Sequence, residues 1–184
     1  MHGPSVEKST CGQPDEVKSF LFDSYCLQCS DFDEEKFLAN PHPPFFVLYS
    51  LLTRHLKSFY DRYDGDLVLA MVMCEIWHYN VGRYLDRAGP ENASAILADP
   101  ETRRKLLPAC NAYSISQVLG VPSETVRRKV RKLVDKGWVE RSKDGELIAT
   151  VALETIMPDE LKVEFMRGFI SAARHVLAML GTSR

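Results

Sequence analysis

The sequence predicts a mainly α fold with one small β-hairpin, arranged as a helix-turn-helix with a hairpin wing and flanked by helices at both ends. Three observations carry that expectation. Apolar residues recur every three or four positions through most of the chain. The period turns strand-like only around residues 138–151. Immediately before that change, a glycine-centred turn joins two short helical patterns.

Residues 1–13 combine Gly, Pro, Ser and Lys without periodicity and are expected to be disordered. Residues 17–29 place Val17, Phe20, Leu21 and Tyr25 on one side of a first helix. The acidic run from Asp31 starts a second, short helix ending near Ala39. Asn40-Pro-His-Pro-Pro then breaks the pattern, because each proline biases its predecessor away from helix, so residues 1–40 form an N-terminal arm.

Residues 45–63 carry Phe45, Leu48, Leu52, Leu56, Phe59 and Tyr63 at helical spacing, an amphipathic helix. Asp64-Gly-Asp interrupts it, and Asp66 caps the next helix, which runs to about Leu85 or Ala88. That helix is apolar nearly all round from Leu67 to Trp77. It must be covered on every side, and a second subunit is the expected cover. Residues 41–98 are thus read as a helical dimerisation and sensor region. Trp77, Tyr79, Tyr84 and the aromatic residues 45–63 either line an effector cavity or belong to a core. Two short helices are expected between residues 89 and 108, broken at Asp99-Pro100. Arg103 and Arg104 on the second either reach flanking phosphate or serve the surface.

Residues 113–150 carry the most specific signal. Gly120 suits the positive φ of a turn, Pro122 or Ser123 starts the following helix, and Glu124 in its first turn suits the helix dipole. Val126, Val130, Leu133 and Val134 form an inward stripe that can pack on Ile115, Val118 and Leu119. Glu124, Arg128, Arg131, Lys132 and Asp135 lie opposite, with Thr125, Arg127 and Lys129 at the flanks. Gly137 ends the helix as a C′ residue. Trp138, Val139 and Arg141, then Leu147, Ile148, Thr150 and Val151, form two strands around a Lys143-Asp144-Gly145 turn. A helix seated in a major groove needs this division between an anchored inner face and a reaching outer face. Arg127, Arg128, Arg131 and Lys132 are therefore candidates for DNA contact, with Ser123 and Thr125 as donors to phosphate or bases. Arg128 points most directly away from the stripe and is the candidate for guanine readout. Arg141 and Lys143 on the wing are candidates for phosphate contact.

Charge partition agrees with a double-stranded DNA partner. Residues 101–144 contain eleven basic and five acidic residues, a net +6, whereas the whole chain is −2 and the remainder therefore −8. Clustered Lys and Arg on one module provide the counterion release that drives sequence-independent affinity.

These residues resemble the winged helix-turn-helix of bacterial transcription regulators, notably in Gly120-Val121, Thr125-Val126-Arg127, Leu133 and Gly137-Trp138-Val139. The order of helices, winged domain and long C-terminal helix is similar to the MarR type. The recognition segment alone is equally similar to the GntR type, which places its winged domain at the N-terminus. The MarR resemblance implies a homodimer with a winged DNA-binding domain at residues 99–153 and a C-terminal dimerisation helix within residues 154–184, and a cytoplasmic location is expected from the lack of a signal-peptide pattern or a bilayer-length apolar run. In that arrangement residues 66–85 and 159–180 build the dimer, and a small-molecule effector pocket often lies between dimer and DNA-binding parts. The C-terminal helix starts at Met157-Pro158-Asp159, with Asp159 as cap and a stripe of Leu161, Phe165, Phe169, Val176 and Leu180. Two features depart from the MarR pattern: the wing is short and lacks the Asp-plus-Arg-rich strand, and the extension before Phe45 is larger.

Other classes fit less well. No basic region precedes an apolar run at the N-terminus, and the most apolar stretch, residues 67–76, is far shorter than the ~20 residues of a bilayer span, so neither a signal peptide nor a membrane is expected. Five cysteines, an odd number, argue for reduced thiols. Cys26 and Cys29 form a CxxC, half of a metal site or a redox pair if Cys11 assists, and the alternative is that these thiols simply pack, as Cys74 and Cys110 are expected to do in cores. A Cys-based redox or metal sensor is one alternative function on this scaffold, and a winged-helix protein-interaction module without DNA binding is the other. His42, His55, His78 and His175 stand apart, and no glycine-rich phosphate loop, nucleophile elbow or paired-histidine motif occurs. No catalytic residue, metal or cofactor is expected.

Overall fold

The computed structural model describes residues 33–88, 98–150 and 157–180. The expected helix at residues 17–29, Cys11, the Cys26/Cys29 pair and the first short helix after residue 89 lie outside the described residues.

Helix α1 (Glu34–Ala39) is short, and Asp33 caps it by accepting from the Lys36 amide at 2.9 Å. Helix α2 (His42–Arg62) begins earlier than its apolar period suggests. The chain break is confined to Pro41, because Pro43 and Pro44 fall in the first turn, where a missing N–H forfeits no helical hydrogen bond. Asp64 and Gly65 then take positive φ values of 53° and 81°. A Cβ at Gly65 would also come within 3.1 Å of the Tyr60 hydroxyl, so the turn needs glycine on two counts. Asp66 caps α3 (Leu67–Trp77) through the Leu69 amide at 3.0 Å, as expected.

A π-helical turn, His78–Gly82, follows α3 and leads into α4 (Arg83–Ala88). Helix α5 (Pro100–Leu106) opens at the Asp99-Pro100 break, with Asp99 accepting from the Thr102 amide at 2.8 Å. The winged region then comprises β1 (Cys110–Asn111), α6 (Ala112–Leu119), α7 (Ser123–Asp135), β2 (Val139–Arg141) and β3 (Glu146–Ala149). The three strands form an antiparallel sheet in the order β1-β3-β2, with Cys110 opposite Leu147 and Val139 opposite Ala149. Strand β1 is an addition to the expected hairpin, since two residues are too few to show a period. Last comes α8 (Asp159–Leu180), in which Asp159 is a first-turn residue paired with Lys162 at 2.6 Å.

Helix α3 lies at the centre of the core. Leu69, Ala70, Val72, Met73 and Ile76 are buried together with Ile115, Val126, Val130, Leu133, Val139, Leu147 and Ala149. Its buried side is covered by α6, α7 and the sheet of the same chain, while Met71 and Cys74 stay exposed. A division at residue 99 runs through this one core. Cys110 is buried in it, where desolvation pushes its thiol up to about 12, while Cys74, also expected in a core, is exposed.

Asn80, in the π-helical turn, ties α3 to the sheet. It is fully buried, its amide nitrogen donates to the Pro108 carbonyl at 2.7 Å and to the Leu147 carbonyl at 3.4 Å, and its oxygen accepts from the Ala149 amide at 2.9 Å. Asn80→Ala would strand the Ala149 N–H and the Pro108 carbonyl in an apolar setting. A loss of about 3 kcal/mol is expected in urea unfolding with an unchanged denaturant slope, and a loss under about 1 kcal/mol would contradict this bonding pattern.

Helices α2 and α8 pair with each other. His55 stacks on Phe165 with ring centroids 3.8 Å apart, and a Cβ at Gly168 would meet Leu51 at 3.1 Å, so a small residue permits the close approach. Only Pro44 of α2 and Ala172 and Leu180 of α8 are buried. Phe45, Phe46, Tyr49, Leu52, Phe169 and Ile170 are among the large apolar residues left exposed on this pair.

Candidate nucleic-acid interface

Local chemistry sets the pose of α7 at both ends. Gly120 takes φ 62° at the turn after α6. The Ser116 and Ser123 hydroxyls meet at 3.0 Å across that turn, fastening one helix to the other. At the far end Gly137 takes φ 71°, its amide donates to the Val134 carbonyl, and the Trp138 amide donates to the Leu133 carbonyl, both at 2.9 Å. This paired closure of orphan carbonyls redirects the chain sharply into β2.

With Val126, Val130 and Leu133 buried, the polar surface of α7 divides into two halves. Arg127, Arg128 and Arg131 are exposed on one of them. Glu124 lies between two of these arginines, 3.7 Å from Arg127 and 3.1 Å from Arg131, while Arg128 has no ion pair among the described residues. Lys129, Lys132 and Lys136 share the other side, being three and four residues apart. There they meet the turn ahead of α3. The Lys129 ammonium lies 2.7 and 2.5 Å from the two Asp66 oxygens, Lys132 lies 3.4 Å from Asp66, and Lys136 lies 3.5 Å from Asp64.

Burial alone would raise the Asp66 carboxyl, but hydrogen bonds from Lys129, the Leu69 amide and Lys132, with the Lys129 charge, hold it below the usual carboxylate range. The same carboxylate thus caps α3 and grips α7. Of the sequence candidates, Ser123 is engaged by Ser116, Lys132 leans toward Asp66 while remaining about half exposed, and Thr125 is half-buried. Lys129, read from the sequence as a flank residue, is buried.

On the wing, Gly145 takes φ 85° and Ser142 closes the turn, its carbonyl accepting from Gly145 at 3.1 Å and its hydroxyl from the Glu146 amide at 3.1 Å. Arg141 and Lys143 are exposed there. Arg103 is not available to phosphate: it is buried and donates to the Thr150 carbonyl at 2.6 Å and the Ala98 carbonyl at 3.3 Å. Arg104 is exposed but bound to Glu140, its Nε lying 2.9 and 3.0 Å from the two carboxylate oxygens. Both arginines brace α5 against the sheet.

The sequence marked Asp66 as a cap and missed its hold on α7, 63 residues away. One signal was present: Lys129 lies at the edge of the apolar stripe, where a cation requires a partner.

Among the described residues no group of three or more His, Cys, Asp or Glu side chains is placed to hold a metal, and no helix is long and apolar enough to cross a membrane. Residues 106–157 match the family model described as the sugar-specific transcriptional regulator TrmB. That is a family of regulators rather than enzymes, and the match supports a winged helix-turn-helix of the DNA-binding regulator type. It spans α6, α7, all three strands and the turns between them. No curated protein and no solved structure matches the chain.

Proposed function

We propose that the protein is a sequence-specific DNA-binding transcriptional regulator acting as a homodimer, with α7 in the major groove and the wing beside the flanking backbone. The observation that carries this reading is the exposed arginine side of α7, held outward by a buried opposite face. Arg128 reads a base, Arg127 and Arg131 contact bases or phosphate, and Arg141 and Lys143 grip phosphate. Lys132 and the two hydroxyl donors, Ser123 and Thr125, take supporting roles at the edge of the groove. The unit that binds includes α3, whose side chains share its core.

The second subunit is assigned to the outer face of the α2–α8 pair, which keeps the C-terminal helix that the MarR-like order implies and puts α2 in the place of residues 66–85. Thirteen large apolar residues are exposed on these two helices: Phe45, Phe46, Leu48, Tyr49, Leu52, Leu56 and Tyr60 on α2, with Val163, Met166, Phe169, Ile170, Leu177 and Met179 on α8. Together they offer on the order of 1,000 Å² of apolar surface, comparable to the ~800 Å² per partner of a standard stable interface. A second copy also doubles a reading head that covers only a few base pairs.

The matched family's description names sugars, and we infer that an effector of this protein would bind at that same boundary. Between α2 and α8 a small cavity lined by Leu51, Arg54, His55 and Phe165 has a volume of about 70 Å³, and an open groove lined by Phe46, Ser50, Arg54, Ser171 and His175 has about 360 Å³. The first is well below the ~300 Å³ of a typical ligand site and the second lies open to solvent, so a second subunit would have to complete the walls.

Selection of bound sequences from a random duplex library, with titrations at several salt concentrations, tests the reading. Enrichment of a palindrome and a steep salt slope are expected. A flat slope without enrichment would favour a protein-docking module. Arg128→Ala is expected to cost about tenfold or more at the selected site and relax one base position. Lys143→Ala should weaken all duplexes about equally and reduce the salt slope by about one. Equal binding by both variants and wild type would remove the groove assignment.

A further inference from the structure

Glu124 is a carboxylate placed where a duplex would be least hospitable to it. It stands in the first turn of α7, its side chain 72% exposed, between Arg127 and Arg131. The helix dipole favours an acidic residue at this end, but it does not account for bridging two of the three exposed arginines. On a surface built only for phosphate attraction, this negative charge would lower affinity for every sequence.

We propose that Glu124 is a specificity-determining residue, its carboxylate accepting from the amino group of a cytosine in the groove while Arg127 or Arg131 takes the neighbouring guanine. The proposal rests on the DNA-binding reading above and deepens it. In the unbound protein the carboxylate offsets one of the two positive charges and orders both guanidinium groups. A cytosine N4 amino group can replace one arginine as hydrogen-bond donor, and the released guanidinium then bonds guanine O6 and N7. Where the base facing it is guanine or thymine, whose major-groove edge carries only acceptors, the carboxylate finds no donor there and stays on its arginines, which are withheld from bases and phosphate. The residue thus subtracts more from wrong sequences than from the right one.

The test uses the full chain and its Glu124→Ala and Glu124→Gln variants. Each is put through random-duplex selection, and Kd is measured at one salt concentration for the selected site and for an unrelated duplex. Glu124 is exposed and buries nothing, so both variants should melt within a few degrees of wild type, a first-turn charge being worth about 1 kcal/mol or less. Wild type is expected to enrich cytosine at one position of each half-site. Glu124→Ala should bind the unrelated duplex about threefold to tenfold more tightly, lose the cytosine preference, and narrow the specificity ratio by about tenfold or more. Glu124→Gln should move the preference at that position toward adenine, whose N6 and N7 suit an amide. Unchanged base preference and ratio in both variants would overturn the proposal while leaving DNA binding intact. Absence of duplex binding by wild type would overturn the underlying reading, and the proposal with it.

Discussion

Asp66→Ala is expected to lower the unfolding free energy by about 3–5 kcal/mol, a large share of the 5–15 kcal/mol typical of a domain. The substitution strands the Lys129 ammonium, which is almost buried and has both Asp66 oxygens within hydrogen-bonding distance. It also removes the cap of α3, worth about 1 kcal/mol. Breaking a buried pair from one side costs more than the pair itself contributes, because a desolvated charge remains. Asp66→Ser combined with Lys129→Met should therefore recover most of the loss, since serine can cap and methionine fills the aliphatic path without a charge. Urea unfolding of the three proteins checks this, and a single variant within 1 kcal/mol of wild type would mean that Lys129 is not held as described.

The pH dependence of the same pair has a definite sign. The folded-state Asp66 carboxyl is held below its ordinary value, so the unfolded chain binds its proton more readily. Its stabilising contribution is complete above the unfolded value near ~4 and disappears as pH falls through the lower folded-state value. The stability gap between wild type and Asp66→Ala should accordingly narrow in acid and stay constant from about pH 5 to 7.

Charging the outer face of α2 and α8 is expected to have the largest effect on DNA binding. Phe46 and Phe169 are 69% and 51% exposed. In the double variant Phe46→Glu, Phe169→Glu the monomer core is untouched, while four carboxylates would have to be buried in the proposed dimer. Sedimentation should show a monomer with unchanged helix content, and affinity for a palindromic site should fall about a hundredfold or more as the two reading heads lose their linkage. A wild-type protein that is monomeric at micromolar concentration would refute the assignment of this face, as would a double variant that still dimerises.

Features written over short stretches of chain were legible before the fold was known. The turn at Gly120, the helix end at Gly137, the hairpin turn at Gly145, the cap by Asp66 and the arginine side of α7 all follow from neighbours within a turn or two. The first turn of α2 was misplaced because a proline-rich run reads as a break unless the helix start is known. Strand β1 escaped notice because its identity lies in pairing with Leu147, 37 residues after Cys110. The all-round apolar pattern of α3 showed that cover was needed but not which elements would provide it.

Helical period, turn conformation and cap chemistry are near-neighbour properties, so residue order alone determined the helix-turn-helix, its wing and the cationic outward face. Tertiary packing decided that α3 lies beneath α7, that three lysines turn toward Asp64 and Asp66, and that Arg103 is buried as a brace. Those outcomes depend on where the backbone path brings residues tens of positions apart. There a charge finds its partner or an apolar face its cover by proximity in space, which composition and period do not encode.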